Sequence, residues 1–268
     1  LVAALWGAGG LALAVWLRGG RGMAYDFGFG ALVVTGVLAG EFLVGNGPAL
    51  SAMFTAMNLL EIALAVALTR RFVPGLNVNS VEGLARFLTV CAASALPSAL
   101  LSALALEAMV GADVLDGFRI WWFGHSLGFA VIGVFGLALR SRHMAILRQP
   151  ARLAEGLAIS ALIGVACYTI FSHMSLPYGF LLLPLLVLMA VRFRVAGTAT
   201  ALLIVSVMAV GGTMVGHGPY HAFAPEQRAL LAQILVLLGY MPILMVAALL
   251  EERDRLTERA RAGRERAE

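Results

Sequence analysis

Two acidic residues lie inside apolar stretches of the chain, Glu41 and Glu61. A charged side chain at the centre of a membrane span costs about 2.5–3.5 kcal/mol on insertion scales, so both are expected to face the interior of a helix bundle. Asn58 precedes Glu61 by three residues, which places the two side chains on one helical face. The pair suits a buried polar network, a proton or a ligand. The alternative is a helix-to-helix hydrogen bond with a protonated or arginine-paired glutamate.

A second group of candidates follows Arg119, where Trp121 and Trp122 precede His125 by about one helical turn. Paired tryptophans at the start of a span are typical of the membrane–water interface, and this is the simplest interpretation of the two indoles. His125 lies deeper in the predicted span. Its imidazole fits protonation sensing or ligand contact, and hydrogen-bonded packing is the alternative.

A third group, His217, Tyr220 and His221, belongs to a predicted outer loop. Pro219 opposes a helix that would place both imidazoles on one face, and no HExxH motif or cysteine cluster occurs, so no metal is predicted. No phosphate-binding loop, dinucleotide fingerprint or nucleophile elbow is present either. We therefore expect no catalytic residue, no cofactor and no nucleic-acid partner, and this chain is not itself predicted to be an enzyme.

The elements that position these residues are predicted to be membrane helices. The chain has 268 residues, of which 61% are hydrophobic and 13% charged, whereas about a quarter are charged in soluble domains. A single large soluble domain is excluded, and an all-α, polytopic transmembrane bundle in a lipid bilayer is predicted. About nine apolar runs can be marked, at residues 1–17, 23–44, 49–69, 79–110, 118–139, 153–171, 178–191, 195–215 and 228–250.

Arginines gather at one set of helix ends, which the positive-inside rule places in the cytoplasm of a bacterial inner membrane. These are Arg18, Arg21, Arg70, Arg71, Arg86, Arg140, Arg142, Arg148, Arg152, Arg192 and Arg194. Only Arg119 and Arg228 fall at the opposite ends. The C-terminus is then cytoplasmic, and one further helix before Leu1 would give ten helices with both termini inside. Asp26 lies near a cytoplasmic end, where Arg21 is its expected partner.

The last 18 residues carry 12 of the 34 ionisable Asp, Glu and Arg residues. They follow the last apolar run without a helix breaker. We therefore divide the chain into a transmembrane sensor bundle, 1–250, and a charged cytoplasmic helix, 251–268, that links to an absent output domain. Leu249, Leu256 and Gly263 are seven residues apart and form a weak heptad seam. A solvated helical extension and a parallel dimeric signalling helix both remain open.

Six stretches carry a family resemblance: Trp6–Gly10, Asn58–Glu61, Trp121–Gly128, Pro184–Phe193, Gly216–Tyr220 and a last helix running into Glu251–Arg253. In order and spacing they resemble the bacterial membrane-associated sensor domain of the first type, in the MASE family. The sequence departs from the family pattern at His125, where aspartate is usual, and at Gly133, near which a proline is usual. The resemblance implies one more helix upstream and an output module downstream, in a full-length diguanylate cyclase or sensor histidine kinase.

We therefore expect a membrane sensory domain that regulates a C-terminal cytoplasmic output module. The stimulus is an unidentified small molecule or protein, and the tail helix is expected to form a homodimer. The alternative is a small-solute transporter or permease that uses Glu41, Asn58 and Glu61 as a buried acid site. Pro97 and Pro184 would then mark broken helices, as transporters often have.

Overall fold

The computed structural model describes residues 5–139 and 149–265, and within these ranges it contains helices and no strand. The prediction of an all-α transmembrane bundle is confirmed. Eight helices are formed: α1 Gly7–Arg18, α2 Met23–Leu43, α3 Pro48–Phe72, α4 Val81–Val110, α5 Val114–Ala138, α6 Pro150–His173, α7 Leu183–Met214, and α8, which begins with Pro225–Ile234 and ends with Pro242–Glu265. Arg140, Arg142 and Arg148 of the predicted basic loop lie outside the described residues, as do Leu1 and the last three residues of the tail.

Length and composition separate α1 from the other helices. Seven helices, α2 to α8, are long and apolar enough to cross a membrane in the described part of the chain. Helix α1 has 12 residues, about 18 Å, which is shorter than the hydrocarbon core of a bilayer. Helix Pro242–Glu265 passes residue 250 without a break. The division of the chain at residue 250 therefore stays a prediction.

Three of the long helices contain a π-helical turn, in which the hydrogen bonds skip one more residue than in an α-helix. The turns are Phe129–Gly133 in α5, Thr169–His173 in α6 and Leu235–Tyr240 in α8. Such turns are frequent at functional sites. The one in α5 begins four residues after His125.

The chain divides into two compact units. The first holds the residues up to Leu76 together with Arg86–Gly136, and the second holds Asn77–Ala85 and the residues from Leu137 onward. In the first unit α1 packs on α3 and α5, and α2 packs on α3. In the second unit α7 packs on α6 and on α8.

Two glycines bring α1 and α5 into backbone contact. A Cβ at Gly10 would lie 2.2 Å from the Gly128 carbonyl oxygen, and a Cβ at Gly128 would lie 2.2 Å from the carbonyl oxygen of Trp6. No side chain fits at either position. The Trp6 N–H also donates to the Gly124 carbonyl oxygen, at 3.2 Å. The two motifs Trp6–Gly10 and Trp121–Gly128 therefore lie against each other.

The observed count of eight helices differs from the predicted nine because the runs 178–191 and 195–215 form one element, α7. Within α7, Arg194 has φ 55° and ψ −148°, a conformation that lies outside the helical region. The next N–H, of Val195, donates to Glu251 Oε2 at 3.3 Å. An acceptor side chain at that place is what the first N–H groups of a new helix require. Helix α7 is thus broken at Arg194 into two arms.

The two arms run in opposite directions. Arg228, in the first turns of α8, donates to the carbonyl oxygen of His221 at 2.7 Å, and Glu251, near the other end of α8, contacts Val195. Tyr240, part-way between them, donates its hydroxyl to the Gly179 carbonyl oxygen at 2.6 Å. The first arm therefore returns alongside α8 instead of continuing past Val195. Both predicted runs are present, joined by a sharp reversal and not by a loop.

Candidate functional site

Glu61 lies fully buried in α3, and three side chains bind its carboxylate. Ser98 Oγ donates to Oε2 at 2.7 Å, and Trp121 Nε1 donates to the same oxygen at 3.1 Å. The Nδ1–H of His125 donates to the other oxygen, Oε1. Ser98, Trp121 and His125 are themselves at most 2% exposed. These donors replace the water that the carboxylate loses on burial, so the acid is retained in an apolar bundle.

Local helix geometry brings these groups together. Trp121 and His125 are four residues apart on α5, so both project from the same face. Ser98 belongs to a stripe of serines on α4, with Ser94 and Ser102 four residues before and after it, and all three are fully buried. Pro97 lies inside α4 directly before Ser98. Since proline removes one hydrogen bond of the helix ladder, α4 is weakened at the turn that contacts Glu61.

Four rings stack in a row through His125. The ring centroids are 5.4 Å apart for Trp6 and His125, 4.3 Å for His125 and Trp121, and 5.7 Å for Trp121 and Phe54. The imidazole is therefore held between two indoles. The interfacial interpretation is wrong for Trp121, because that side chain is buried on Glu61. Trp122 is half-buried and donates its Nε1–H to the Ala92 carbonyl oxygen at 2.9 Å.

A cavity of about 350 Å³ adjoins the Glu61 cluster in the first unit. Asn58 lines it and is 2% exposed. The Asn58 Nδ2 donates to the Phe54 carbonyl oxygen at 2.8 Å, while its Oδ1 is buried and accepts no hydrogen bond. The expected pairing of Asn58 with Glu61 is not seen, since the carboxylate is held by other side chains. Glu41 also lines the cavity, and its Oε2 accepts from Asn46 Nδ2 at 2.6 Å.

The outer-loop candidates belong to the second unit. His217 is exposed, and His221 Nδ1 donates to the Gly218 carbonyl oxygen at 2.9 Å. Burial raises the pKa of the half-buried Tyr220 hydroxyl. Gly218, at φ 78°, lies so close to Phe171 that a Cβ would be 2.4 Å from the Phe171 carbonyl oxygen. The local geometry of this loop is explained by the tight turn. No group of three or more metal-ligating His, Cys, Asp or Glu side chains occurs in the described residues.

Asp26 forms a different ion pair from the expected one. Arg70, at the end of α3, donates NH1 to Oδ2 at 2.8 Å and NH2 to Oδ1 at 2.9 Å. Trp16 Nε1 donates to Oδ1 at 2.7 Å. The prediction of Arg21 as the partner is therefore wrong. A two-pronged arginine–carboxylate contact holds α2 to α3 with better geometry than a neighbour five residues away offers.

The first turn of the charged tail contacts the start of other helices in the second unit. Glu251 Oε2 accepts from the Val195 N–H, and Glu252 Oε2 accepts from the N–H of Val81, the first residue of α4, at 3.2 Å. Asp254 forms an ion pair with Arg194 NH2 at 2.7 Å. Carboxylates are favourable at helix N-termini because the N–H groups there lack partners and carry partial positive charge.

Sequence reasoning missed two residues of the site, Ser98 and Trp6. A serine in an apolar helix costs little and attracts no attention alone, but the spacing of Ser94, Ser98 and Ser102 was a readable signal for a polar face. Trp6 is brought to His125 only by the Gly10–Gly128 contact, which is a tertiary feature. Its indole Nε1 is buried and donates to no acceptor in the protein.

Comparison with known proteins agrees with this architecture. The family model MASE1 matches residues 1–254. The chain is also similar to the probable diguanylate cyclase DgcE of Escherichia coli (strain K12), with 26% identity over 158 residues. That stretch covers 59% of this chain and 14% of the relative, so the chain spans a small part of the relative's length. No solved structure matches the chain. With nearly its whole length matched, the chain belongs to the MASE1 family and is a membrane sensory domain.

Proposed function

We propose that this chain is the signal-input domain of a bacterial inner-membrane protein and regulates a C-terminal cytoplasmic output module. The output would be a diguanylate cyclase or a histidine kinase. One observation carries the proposal: Glu251, Glu252 and Asp254, in the first turn of the charged tail, contact three different helix-start or helix-break groups. A tail held in this way moves when those helices move, and a loosely attached solvated extension would not.

The input side of the proposal is the cavity beside Glu61. His125 and Trp121 line the cavity and also donate to the Glu61 carboxylate. A ligand in the cavity would therefore touch two of the three groups that hold the buried acid. The side chains bring both candidate chemistries, protonation and ligand contact, to one place.

Helix α4 offers a route from the site to the tail. Its Ser98 donates to Glu61, and its first residue, Val81, donates its N–H to Glu252. The seventeen residues between them form one helix of about 25 Å. Because Pro97 weakens the helix ladder beside Ser98, a change at Glu61 can alter the bend of α4. The start of α4 would then shift against the tail helix.

The stimulus acts by shifting a population between two packings of the bundle. A ligand moves this equilibrium only if it binds one packing more tightly than the other. A tenfold preference corresponds to about 1.4 kcal/mol. The contacts between the tail and the helix starts are of this order, since losing one capping acceptor typically costs about 1 kcal/mol.

The proposed orientation follows from the arginines. Arg18, Arg70 and Arg71 end α1 and α3, and the break at Arg194 contacts the start of the charged tail. The positive-inside rule places these ends, and with them the tail, in the cytoplasm. The cavity reaches Val44 and Asn46, between α2 and α3, at the arginine-poor ends. The stimulus would then arrive from outside the membrane.

The proposed function is tested by joining the chain in frame to a GGDEF diguanylate cyclase module and measuring cyclic di-GMP in membranes. Glu252→Ala and Asp254→Ala each remove one tail contact and are expected to change the basal output by up to about fivefold, the equivalent of about 1 kcal/mol. Glu258→Ala is the matched control, because Glu258 is an exposed acid on the same helix. Equal outputs from all three variants and the unaltered chain would count against transmission through the tail.

The transporter alternative predicts a different result. Uptake of a solute into proteoliposomes that Glu61→Gln abolishes, with no change in cyclase output, would favour transport over sensing. Pro184 lies in the first turn of α7 and does not break it, which removes one of the two helix breaks that favoured a transporter.

A further inference from the structure

We propose that the cavity beside Glu61 binds a small organic amine, with its protonated nitrogen matched by the carboxylate of Glu41 and the amide oxygen of Asn58. This inference rests on the proposed function, because it names the chemical class of the stimulus at the same site. The cavity volume of about 350 Å³ lies within the range of small-molecule pockets.

Asn58 supplies an acceptor that the protein leaves unused. The side chain is 98% buried by its 2% exposure, and its orientation is fixed because Nδ2 donates to the Phe54 carbonyl oxygen. The Oδ1 atom is left buried with no donor in the protein. A buried carbonyl oxygen without a donor is costly, and it becomes favourable when a ligand supplies an N–H or O–H group.

Glu41 gives the cavity its negative charge. Among the described residues that line the cavity there is no arginine, and the chain contains no lysine. The other acid nearby, Glu61, already binds His125, Ser98 and Trp121 through its two oxygens. A ligand therefore meets acceptors and a carboxylate, with no basic side chain to bind an anion. A protonated amine fits this set, and a carboxylate or phosphate does not.

The aromatic walls define the rest of the ligand. Trp6, Phe54, Trp121 and His125 all line the cavity, which favours an apolar or aromatic body. Trp6 Nε1 is a buried donor that meets no acceptor in the protein. A hydroxyl or carbonyl oxygen on the same ligand would satisfy it. The chemistry describes an amine with an aromatic body and one neutral oxygen.

The binding experiment uses the full chain in lipid nanodiscs and follows tryptophan fluorescence, since two of the four tryptophans line the cavity. Tyramine is the probe, because it joins an amine to a phenol. 4-Hydroxyphenylpropionate places a carboxylate on the same ring, and 4-ethylphenol carries no charge. We expect a saturable change with tyramine, and none with the other two at the same concentrations.

Two variants remove the matching groups without touching Glu61. Glu41→Gln and Asn58→Leu are each expected to weaken tyramine binding by about 10-fold to 100-fold, as the loss of a hydrogen bond to a charged group does. Glu107→Gln is the control, because Glu107 is an exposed acid at the other end of the same unit. Its affinity is expected to equal that of the unaltered chain.

A cavity-filling pair guards against variants that fail to fold. Gly40 lines the cavity, and a Cβ there would meet no atom within 4 Å. Gly40→Leu is therefore expected to block tyramine binding while leaving the fold intact. Gly28 lies on the same helix with equal free space and outside the lining set, so Gly28→Leu is expected to bind as before.

The proposal is overturned if tyramine gives no saturable change, if the carboxylate or neutral analogue binds equally well, or if Glu41→Gln binds as tightly as the unaltered chain. None of these results depends on cyclase output. Failure of the amine proposal with altered output in Glu252→Ala would leave the signal-input function standing. Tyramine binding without any effect of the tail variants would instead contradict the proposed function alone.

Discussion

Glu61 shows how a membrane protein keeps a buried acid. Its two oxygens accept from three side chains on α4 and α5, and the residue is fully buried. Sequence reasoning identified Glu61 and His125 because ionisable residues inside apolar runs are expensive and call for partners. It could not identify the partner as Ser98, because which helices meet is decided by packing between segments far apart in the chain.

The cluster makes a direct prediction about stability. Glu61→Leu removes the acceptor of three buried donors and is expected to lower the free energy of unfolding by about 3 kcal/mol or more. Glu82→Leu, at an exposed position in the first turn of α4, is expected to cost less than about 1 kcal/mol. Thermal unfolding in detergent checks both. Equal losses in the two variants would show that the Glu61 contacts do not hold the bundle together.

At the scale of elements, α7 depends on one residue with an unusual backbone. Arg194 has φ 55° and ψ −148°, which side chains other than glycine rarely adopt. Its guanidinium binds Asp254, so the side chain is retained for the tail contact at a cost to the backbone. The sequence predicted two apolar runs here, on either side of Arg192 and Arg194. It gave no signal for a reversal without a loop, since neither glycine nor proline occurs at the turn.

A pair of substitutions separates the backbone of Arg194 from its side chain. Arg194→Gly and Arg194→Ala both lose the Asp254 ion pair, but only glycine relieves the backbone. The glycine variant is expected to be more stable than the alanine variant by about 1–2 kcal/mol. At Arg192, inside the helical arm, alanine is expected to be the better residue by about 1 kcal/mol. The same order at both positions in unfolding experiments would rule out strain at Arg194.

For the whole molecule, the all-helical bundle and its apolar spans followed from composition and hydropathy, because lipid permits little else. The contacts of the tail did not follow. Glu251, Glu252 and Asp254 look like a solvated charge run in the sequence, and only the fold brings the starts of α4 and of the second arm of α7 to them. The organisation of the tail is therefore a tertiary property, built from polar contacts that leave no periodic pattern.

The proposed dimer is also a property of the whole molecule. Leu249 and Leu256 lie seven residues apart on the tail helix and are 61% and 56% exposed, as the seam of a parallel pair would be in one isolated chain. Leu256→Cys is expected to form a disulfide-linked dimer in membranes, since both native cysteines are buried. Glu258→Cys, about 200° around the helix, is expected not to. Equal cross-linking at both positions would contradict a defined seam.

The central claim is that the bundle controls an output module through the rotational position of the tail helix, and an insertion series joined to a diguanylate cyclase module tests it most directly. Two residues inserted between Ala262 and Gly263 turn whatever follows by about 200°, whereas seven turn it by only about −20°. We predict that the two-residue insertion changes cyclic di-GMP synthesis in membranes by about fivefold or more, and that the seven-residue insertion restores the original rate. Equal synthesis from both insertions and from the unaltered chain would contradict the account.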